Sequence, residues 1–399
     1  MTKDYNPKTL AVKLHLKAEK LIKKGHPWVF SESIEKINKE GQAGDIAILF
    51  DQRQNKVYGV GLYDPASPIR IKMIHHDGPA KIDEYFFERK ISTALELRKT
   101  LFKNTNAFRL LYGENDGFPG LVVDVYDKVG VLKLYSPVWF PYLGMIIPKI
   151  VEFGKLKALI LRLSRNLQKN DFGFSEGSIL FGELEDSNVQ FHEYGVNFQT
   201  DVIAGHKTGF FLDHRQNRHR IGQLSKNKSV LDVFSYSGGF SVHALAGGAR
   251  EVTSIDFSSH ALELAKTNAS LNTHHGKHEA LVGDAFVILR DLIRQKMKFD
   301  IVVIDPPSFA KSSTEVEIAK KKYAELAELG VQLTSKGGIL LLASCSSRVT
   351  TEEFYEIHKA LFKKLKVNYE TINYTAHDID HPVTFDEGAY LKSAYYRIF

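Results

Sequence analysis

Cys345 is the only cysteine among 399 residues, and it follows the apolar run Leu340-Leu341-Leu342-Ala343 within the cluster Ser344-Cys345-Ser346-Ser347. Such a run reads as a buried parallel strand, and open α/β sheets bind ligands beyond the carboxyl ends of their strands. A thiol at that edge is a candidate nucleophile; a small side chain that only packs is the competing reading. Four carboxylates fall at the ends of other apolar runs. Asp232 opens the turn Asp232-Val233-Phe234-Ser235-Tyr236-Ser237-Gly238-Gly239-Phe240, whose small residues let backbone approach a ligand beside a helix N-terminus. Asp256 lies twenty-four residues further on, where a carboxylate can accept hydrogen bonds from both hydroxyls of a ribose, or cap the next helix. Asp284 sits in Val282-Gly283-Asp284-Ala285 and Asp305 in Ile304-Asp305-Pro306-Pro307-Ser308-Phe309, a rigid turn whose two prolines offer no amide donor. Capping explains any one of these acids. A nucleoside-bearing ligand explains the set. The pattern G-x-G-x-x-G is missing, which counts against a dinucleotide and hence against a nicotinamide oxidoreductase.

The elements that must position these residues alternate in type. Strands predicted over 229–234, 251–255, 280–282, 299–304 and up to 344 are separated by helices from about 240, over 261–271, 286–294 and 315–333, with another over 351–365. This alternation argues for a doubly wound parallel sheet, and it occupies residues 191–399. The tail Leu391 to Phe399 alternates like a closing strand. Residues 81–190 read as a small central α+β domain, with a helix over 82–103, paired strands over 117–126 and 130–135, and a surface loop over 166–177. Residues 1–80 hold short alternating runs at 45–50 and 56–63 and carry 13 Lys+Arg against 9 Asp+Glu. With Lys23-Lys24-Gly25-His26-Pro27-Trp28-Val29-Phe30-Ser31 ahead of those runs, this unit resembles a PUA domain, a compact RNA-binding barrel. Trp28 and Phe30 are then core residues or, alternatively, platforms for stacked bases.

Composition narrows the class. With 43% apolar and 25% charged residues, neither a disordered nor a membrane-embedded chain is expected, and no stretch approaches the ~18 apolar residues of a spanning helix. One cysteine rules out an internal disulfide and any multi-cysteine zinc or iron–sulfur site, which fits a reducing compartment, here the cytoplasm. The sixteen histidines show no zinc-type spacing, so no metal is expected. Residues 1–7 contain no apolar core of a signal peptide. The net charge of +6 favours polyanionic partners.

The ordered strand-end motifs resemble those of the class I S-adenosylmethionine (SAM)-dependent methyltransferases. Together with Gly205-His206-Lys207-Thr208-Gly209-Phe210-Phe211-Leu212-Asp213, Ser344-Cys345-Ser346, Asp380-His381-Pro382 and Glu387-Gly388-Ala389-Tyr390-Leu391-Lys392, they make the whole chain similar to the PUA-containing 23S ribosomal RNA (cytosine-C5) methyltransferases. The resemblance implies an α/β fold: a C-terminal doubly wound, Rossmann-like SAM methyltransferase sheet, an N-terminal PUA-like β barrel and a small central α+β domain. It implies SAM as cofactor, bound by Asp232, Phe234, Ser235, Tyr236, Gly238, Asp256, Phe257, Asp284, Ala285, Asp305, Lys207 and Phe211. For Phe210 and Phe211, packing between domains is the other reading. Large-subunit ribosomal RNA is the implied partner, no membrane is, and a homodimer is compatible with it.

Cys345 and Asp305 are the implied catalytic residues. A thiolate adding to carbon 6 of cytosine makes carbon 5 nucleophilic toward a methyl donor, while Asp305 hydrogen-bonds the base edge. Forming the thiolate needs a helper, for which Arg348 is the near cation. Two-cysteine relatives carry a second thiol three residues after the aspartate. Here that position is Ser308, which leaves product release to another group or to solvent. The run Asp213-His214-Arg215-Gln216-Asn217-Arg218-His219-Arg220 would put arginines on one helix face, toward phosphates or toward solvent, and Lys311 and Lys320-Lys321-Lys322 pose the same choice. Two other functions stay open: an amino-nitrogen methyltransferase acting on a purine of RNA, which needs no thiol, and a non-catalytic ribosome-assembly RNA binder.

Overall fold

The computed structural model describes residues 5–310 and 312–399; residues 1–4 and Lys311 lie outside the described set. The chain divides into two compact units, one comprising residues up to 191 with 199–212 and 379–386, the other residues 192–198, 213–378 and 387–399.

The first unit opens with a six-stranded sheet in the order Trp28–Phe30, Ile69–His76, Val57–Tyr63, Ile46–Phe50, Thr9–Leu14, Ile34–Ile37. Burial alternates along Thr9–Leu14 and Ile46–Phe50, as strands with one core face require. A second, five-stranded sheet follows in the order Ile179–Gly182, Ala158–Leu163, Val129–Leu134, Leu121–Tyr126, Ala107–Tyr112. The helix expected over 82–103 is Glu84–Arg98, capped by Asp83 through the Phe86 amide, and it tightens into a 3₁₀ turn at Lys99–Lys103. One apolar cluster runs from Val60, Leu62 and Ile74 through Phe87 and Ile91 to Trp139, so residue 80 marks no break in the core. Trp28 is half-buried: its Nε1 donates to Glu114 Oε1 at 3.1 Å and its ring meets Phe385 edge-on at 5.1 Å.

The second unit is built on seven strands, numbered here β1 (Ser229–Val233), β2 (Glu251–Asp256), β3 (Lys277–Val282), β4 (Phe299–Ile304), β5 (Thr334–Ser344), β6 (Tyr369–Thr375) and β7 (Lys392–Ile398). Their order is β3-β2-β1-β4-β5-β7-β6. The first five run parallel and β7 lies antiparallel between β5 and β6. Helices α1 (Arg215–Leu224), α2 (Gly239–Ala246), α3 (Ser259–Ser270), α4 (Ala285–Arg294), α5 (Val316–Leu333) and α6 (Thr351–Lys364) complete it. Strands covered on both faces must be apolar throughout, and the fully buried Leu231, Val302 and Leu340 on β1, β4 and β5 meet that demand. Strand order reverses between β1 and β4, which places the ligand-binding crevice beyond their carboxyl ends. The edge strand β6 was not expected: Glu370, Thr371 and Asn373 give it a polar pattern that reads as loop until its partner is known.

Helix α1 corrects the phosphate-binding expectation for its arginines. Arg215 is fully buried and pairs with Asp378 at 2.7 Å. Arg218 is buried too, its Nε and Nη2 donating to Glu193 at 2.6 and 2.8 Å, and Glu193 also holds His243 Nε2 at 2.7 Å. Arg220 lies over the Tyr395 ring at 4.8 Å. These guanidiniums close the unit instead of facing a polyanion. Burial alone would raise the Glu193 carboxyl, but Arg218 and His243 outweigh it and hold the group far below the usual carboxylate range. Its stabilising contribution is therefore complete above the unfolded pKa and is lost as pH falls. Glu193→Gln, which strands the Arg218 charge, should cost about 3–5 kcal/mol in urea unfolding at pH 7, with the gap to wild type closing in acid.

Candidate active site

Parallel pairing of β4 with β5 sets Ile304 against Leu342, so the turn after β4 and the turn after β5 meet at one edge. Cys345 is half-exposed there, its Sγ 3.7 Å from the Pro306 carbonyl oxygen. Asp305, about a quarter exposed, faces His214: Oδ1 and Nε2 are 3.4 Å apart, an ion-pair distance longer than a good hydrogen bond. His214 is buried, with Nδ1 at 2.9 Å from Asn217 Nδ2 and its ring 5.6 Å from that of Phe240. Burial is the largest influence on this imidazole and disfavours its charge, yet the Asp305 and Asp213 carboxylates outweigh it and raise the pKa. Ser344 Oγ donates to Tyr323 Oη at 2.9 Å, and burial, reinforced by the nearby Cys345 and Asp305, pushes that phenol up to about 12.

Antiparallel pairing of β5 with β7 sets Ser344 against Lys392. The Lys392 ammonium is buried and donates to the carbonyls of Ser346, Val349 and Tyr390, the last at 3.3 Å. Burial pulls its pKa down to about 8, with the Cys345 sulfur acting in the opposite direction. The cation beside the thiol is thus Lys392, whereas Arg348, the one expected, is exposed. Neither Lys392 nor His214 was assigned a role from sequence. A lysine opening the closing strand was the available signal for the first; the second had none beyond its neighbour Asp213.

The turn after β1 holds Phe234, Tyr236 and Gly238 at φ 66°, 47° and 80°. Only glycine adopts that region freely, at about 1–3 kcal/mol for other residues, and such strain gathers at ligand clamps. At Gly238 a Cβ would also come within 2.7 Å of Ala265 Cβ. Ser235 Oγ and Ser237 Oγ are buried without a hydrogen-bond partner among the described residues. Asp256 accepts from the Tyr236 and Ser258 amides, each at 2.9 Å, and Ser258 rather than Asp256 caps α3. Next to it Phe257 is 82% exposed, and Val282 at the end of β3 and Val287 in the first turn of α4 are 56% and 52% exposed. Asp284 caps α4, accepting from the Val287 amide at 3.1 Å, and the buried Ala285 opens that helix.

Asp232 departs from the rim arrangement expected for it. It is fully buried inside β1, and its Oδ2 accepts from Ser241 N at 3.0 Å and Ser241 Oγ at 2.6 Å, which anchors α2. Burial, with the charges of Asp305 and Asp256, raises its carboxyl to about 7 against the Ser241 hydrogen bonds. Lys207 and Phe211 belong to the first unit. There Lys207 Nζ lies 4.7 Å from the Phe211 ring centre, and the segment is tied down by Thr208 Oγ1 donating to Asp124 at 2.6 Å and by the Phe210 amide donating to Tyr126 Oη at 3.0 Å. Ser308 Oγ donates to the Ala310 carbonyl at 3.4 Å. Lys320 pairs with Glu317 and Glu353, Lys322 lies over Phe309, and Lys321 and Lys322 are both exposed. Among the described residues no three His, Cys, Asp or Glu side chains stand close enough to hold a metal ion, and no helix is long and apolar enough to cross a membrane.

Unpaired hydroxyls in a left-handed turn, a carboxylate at the next strand end and exposed apolar side chains beyond it fit the amino-acid, ribose and adenine parts of SAM. Comparison with known proteins agrees: residues 167–360 match the S-adenosylmethionine-dependent methyltransferase family and residues 12–76 the PUA-like domain. A candidate methyltransferase crystallised with S-adenosylhomocysteine shares the fold, with a TM-score of 0.82 at 22% identity over 98% of this chain and all of that one. The protein is a SAM-dependent methyltransferase carrying a PUA-like domain. The chain is 39% identical to the ribosomal RNA large subunit methyltransferase of Deinococcus radiodurans over 98% of its own length and 99% of that protein. It is 34% identical to the ribosomal RNA large subunit methyltransferase I of Alteromonas mediterranea over 94% and 95%. It belongs to this family of PUA-containing 23S ribosomal RNA methyltransferases.

Two outcomes test the electrostatics of the site. Because Cys345 is the sole thiol, its alkylation by iodoacetamide reads its thiolate content directly, and Lys392→Met should slow the reaction several-fold at pH 7. An acid whose folded pKa lies above its unfolded value stabilises the protein fully only below the unfolded pKa and loses that contribution as pH rises. For Asp232 the window runs from about 4 to about 7, so Asp232→Asn, which keeps the acceptor for Ser241, should gain thermal stability relative to wild type as pH is raised from 4 to 8.

Proposed function

We propose that the protein methylates carbon 5 of a cytosine in large-subunit ribosomal RNA and that Cys345 is the nucleophile. The carrying observation is the half-exposed sulfur at the end of β5, 3.7 Å from the Pro306 carbonyl of the Asp-Pro-Pro turn, with a buried ammonium at its back. The names of the relatives support the substrate, and the basic PUA-like unit supports a large RNA over a free nucleoside.

SAM, when bound, supplies an electrophilic methyl group on a sulfonium. Phe234, Ser235, Tyr236 and Gly238 hold its amino-acid end by backbone and hydroxyl groups, Asp256 takes the ribose, and Phe257, Asp284 and Ala285 line the adenine side. Asp232 acts through α2 as a positioning residue. The Cys345 thiolate, favoured by Lys392, bonds to carbon 6 of the cytosine, and the electron pair of the 5,6 double bond becomes available at carbon 5. Asp305, steadied by His214, hydrogen-bonds the base edge and stabilises the charge that develops there. Carbon 5 would take the methyl group as the bond from that methyl to the sulfonium sulfur breaks, its electron pair staying on sulfur to leave the neutral thioether S-adenosylhomocysteine. Loss of the carbon 5 proton then re-forms the double bond as the bond from Sγ to carbon 6 breaks, returning the thiolate. Ser308 stands where two-cysteine relatives hold a second thiol, so the proton leaves to another group or to water.

Incubation with tritiated SAM and ribosomal RNA, followed by digestion to nucleosides, should put label in 5-methylcytidine; label in a methylated purine overturns the reading. Cys345→Ala should lower the rate on the order of 10³-fold or more. A transcript containing 5-fluorocytidine, which cannot release a proton from carbon 5, should stay covalently attached to wild-type protein and not to Cys345→Ala. Absence of that adduct from the wild type would sink the mechanism.

A further inference from the structure

A second place for a ligand lies wholly within the first unit. A cavity of about 830 Å³ opens beside the helix Glu84–Arg98 and reaches the strand Ile69–His76, which is ample for a small-molecule site. Its apolar lining includes Leu97, 41% exposed, and the buried Phe86, and its charged lining residues are Arg89, Lys90, Glu114 and Asp116.

Two features mark it as a site for an anion with an apolar body. First, Lys90 is half-buried, its Nζ 5.4 Å from the Phe86 ring centre, and neither it nor Arg89 forms an ion pair among the described residues. The nearest acid, Asp116, is committed elsewhere: its oxygens accept from Arg98 at 3.1 and 2.6 Å and from the Tyr112 amide at 2.6 Å. Glu114 is engaged with the Trp28 indole at 3.1 Å. Second, the Lys90 ammonium packs close to the turn at Gly117, where a Cβ would fall 2.3 Å from its Nζ and where φ of 75° calls for glycine in any case. Burial lowers this lysine to about 8, which keeps it protonated at neutral pH. It also lowers His75 and His76, which line the cavity as neutral imidazoles.

We propose that this cavity holds an unpaired nucleotide of the RNA substrate, its base against Leu97 and its phosphate on Lys90 and Arg89. The inference rests on the protein acting on RNA, though not on which base it methylates. It makes the cavity a recognition site separate from the catalytic rim. The excess of 13 basic over 9 acidic residues in the first eighty favours a polymeric phosphate ligand over a free nucleotide.

The test is binding of a fluorescein-labelled, unpaired oligoribonucleotide to the full-length protein, followed by anisotropy at several salt concentrations. Lys90→Met should weaken binding about five- to ten-fold and reduce the salt slope by about one, and Lys90→Arg should restore both. Thr93→Trp, which fills the mouth of the cavity and leaves every charge in place, should weaken binding as well. SAM affinity by calorimetry should be the same in all four proteins. Wild-type RNA affinity and slope in both Lys90→Met and Thr93→Trp overturn the proposal. So does a loss confined to titrations with free adenosine monophosphate, which would assign the cavity to a free nucleotide. An enzyme that labels a purine yet shows these losses keeps the recognition site and loses the cytosine chemistry.

Discussion

The buried ammonium of Lys392, gripped by the carbonyls of Ser346 and Val349, is the interaction on which the edge bearing Cys345 depends. Taking a lysine out of water is costly, and the lowering of its pKa to about 8 records that cost. It survives as a cation because the loop after β5 turns its carbonyl oxygens inward, and that geometry in turn fixes where Cys345 sits. Cation and loop define each other. The antiparallel insertion of β7 between β5 and β6 brings the lysine there, so a topological feature of the sheet edge becomes an electrostatic feature of the thiol.

Acids near that edge divide by burial. Asp305 and Asp256 remain partly open to water, while Asp232 is sealed and raised to about 7, in part by those two charges. A proton on the sealed member relieves repulsion among the three. The sign of its linkage to pH is opposite to that of Glu193, whose charge is met by the Arg218 guanidinium and a hydrogen bond with His243. One fold thus holds two buried acids that pull stability in opposite directions with pH, one because it lacks a cation and one because Arg218 supplies it.

Much of the second unit was legible in sequence because burial on both faces forces apolar runs, and helices between them carry their own caps, such as Thr350 for α6. Strand ends were legible for the same reason, and with them Asp256, Asp284, Asp305 and Cys345. What escaped was decided by partners distant in the chain. Arg215 and Arg218 have helical spacing that suits a phosphate face, but Asp378 and Glu193, 163 and 25 residues away, draw them inward. Asp232 reads like its three counterparts until Ser241 claims it. The edge strand β6 and the roles of Lys392 and His214 likewise depend on register and pairing, which no local pattern encodes.

The single sulfur shapes the remaining chemistry. In the proposed cycle Cys345 must both attack and leave, so its thiolate has to be stable enough to depart and nucleophilic enough to add. A fixed full positive charge in contact would favour departure at the expense of addition. Lys392 spends its hydrogen bonds on carbonyls and acts on the sulfur only through space, a weaker bias that leaves nucleophilicity intact. In that proposed cycle Asp305 and His214 meet the charge that develops at the base edge, while the release step a second thiol would assist falls to another group or to water. The near-contact of 3.4 Å between them leaves room for the pair to tighten as that charge forms, which is where transition-state stabilisation has to come from if ground-state binding is not to absorb it.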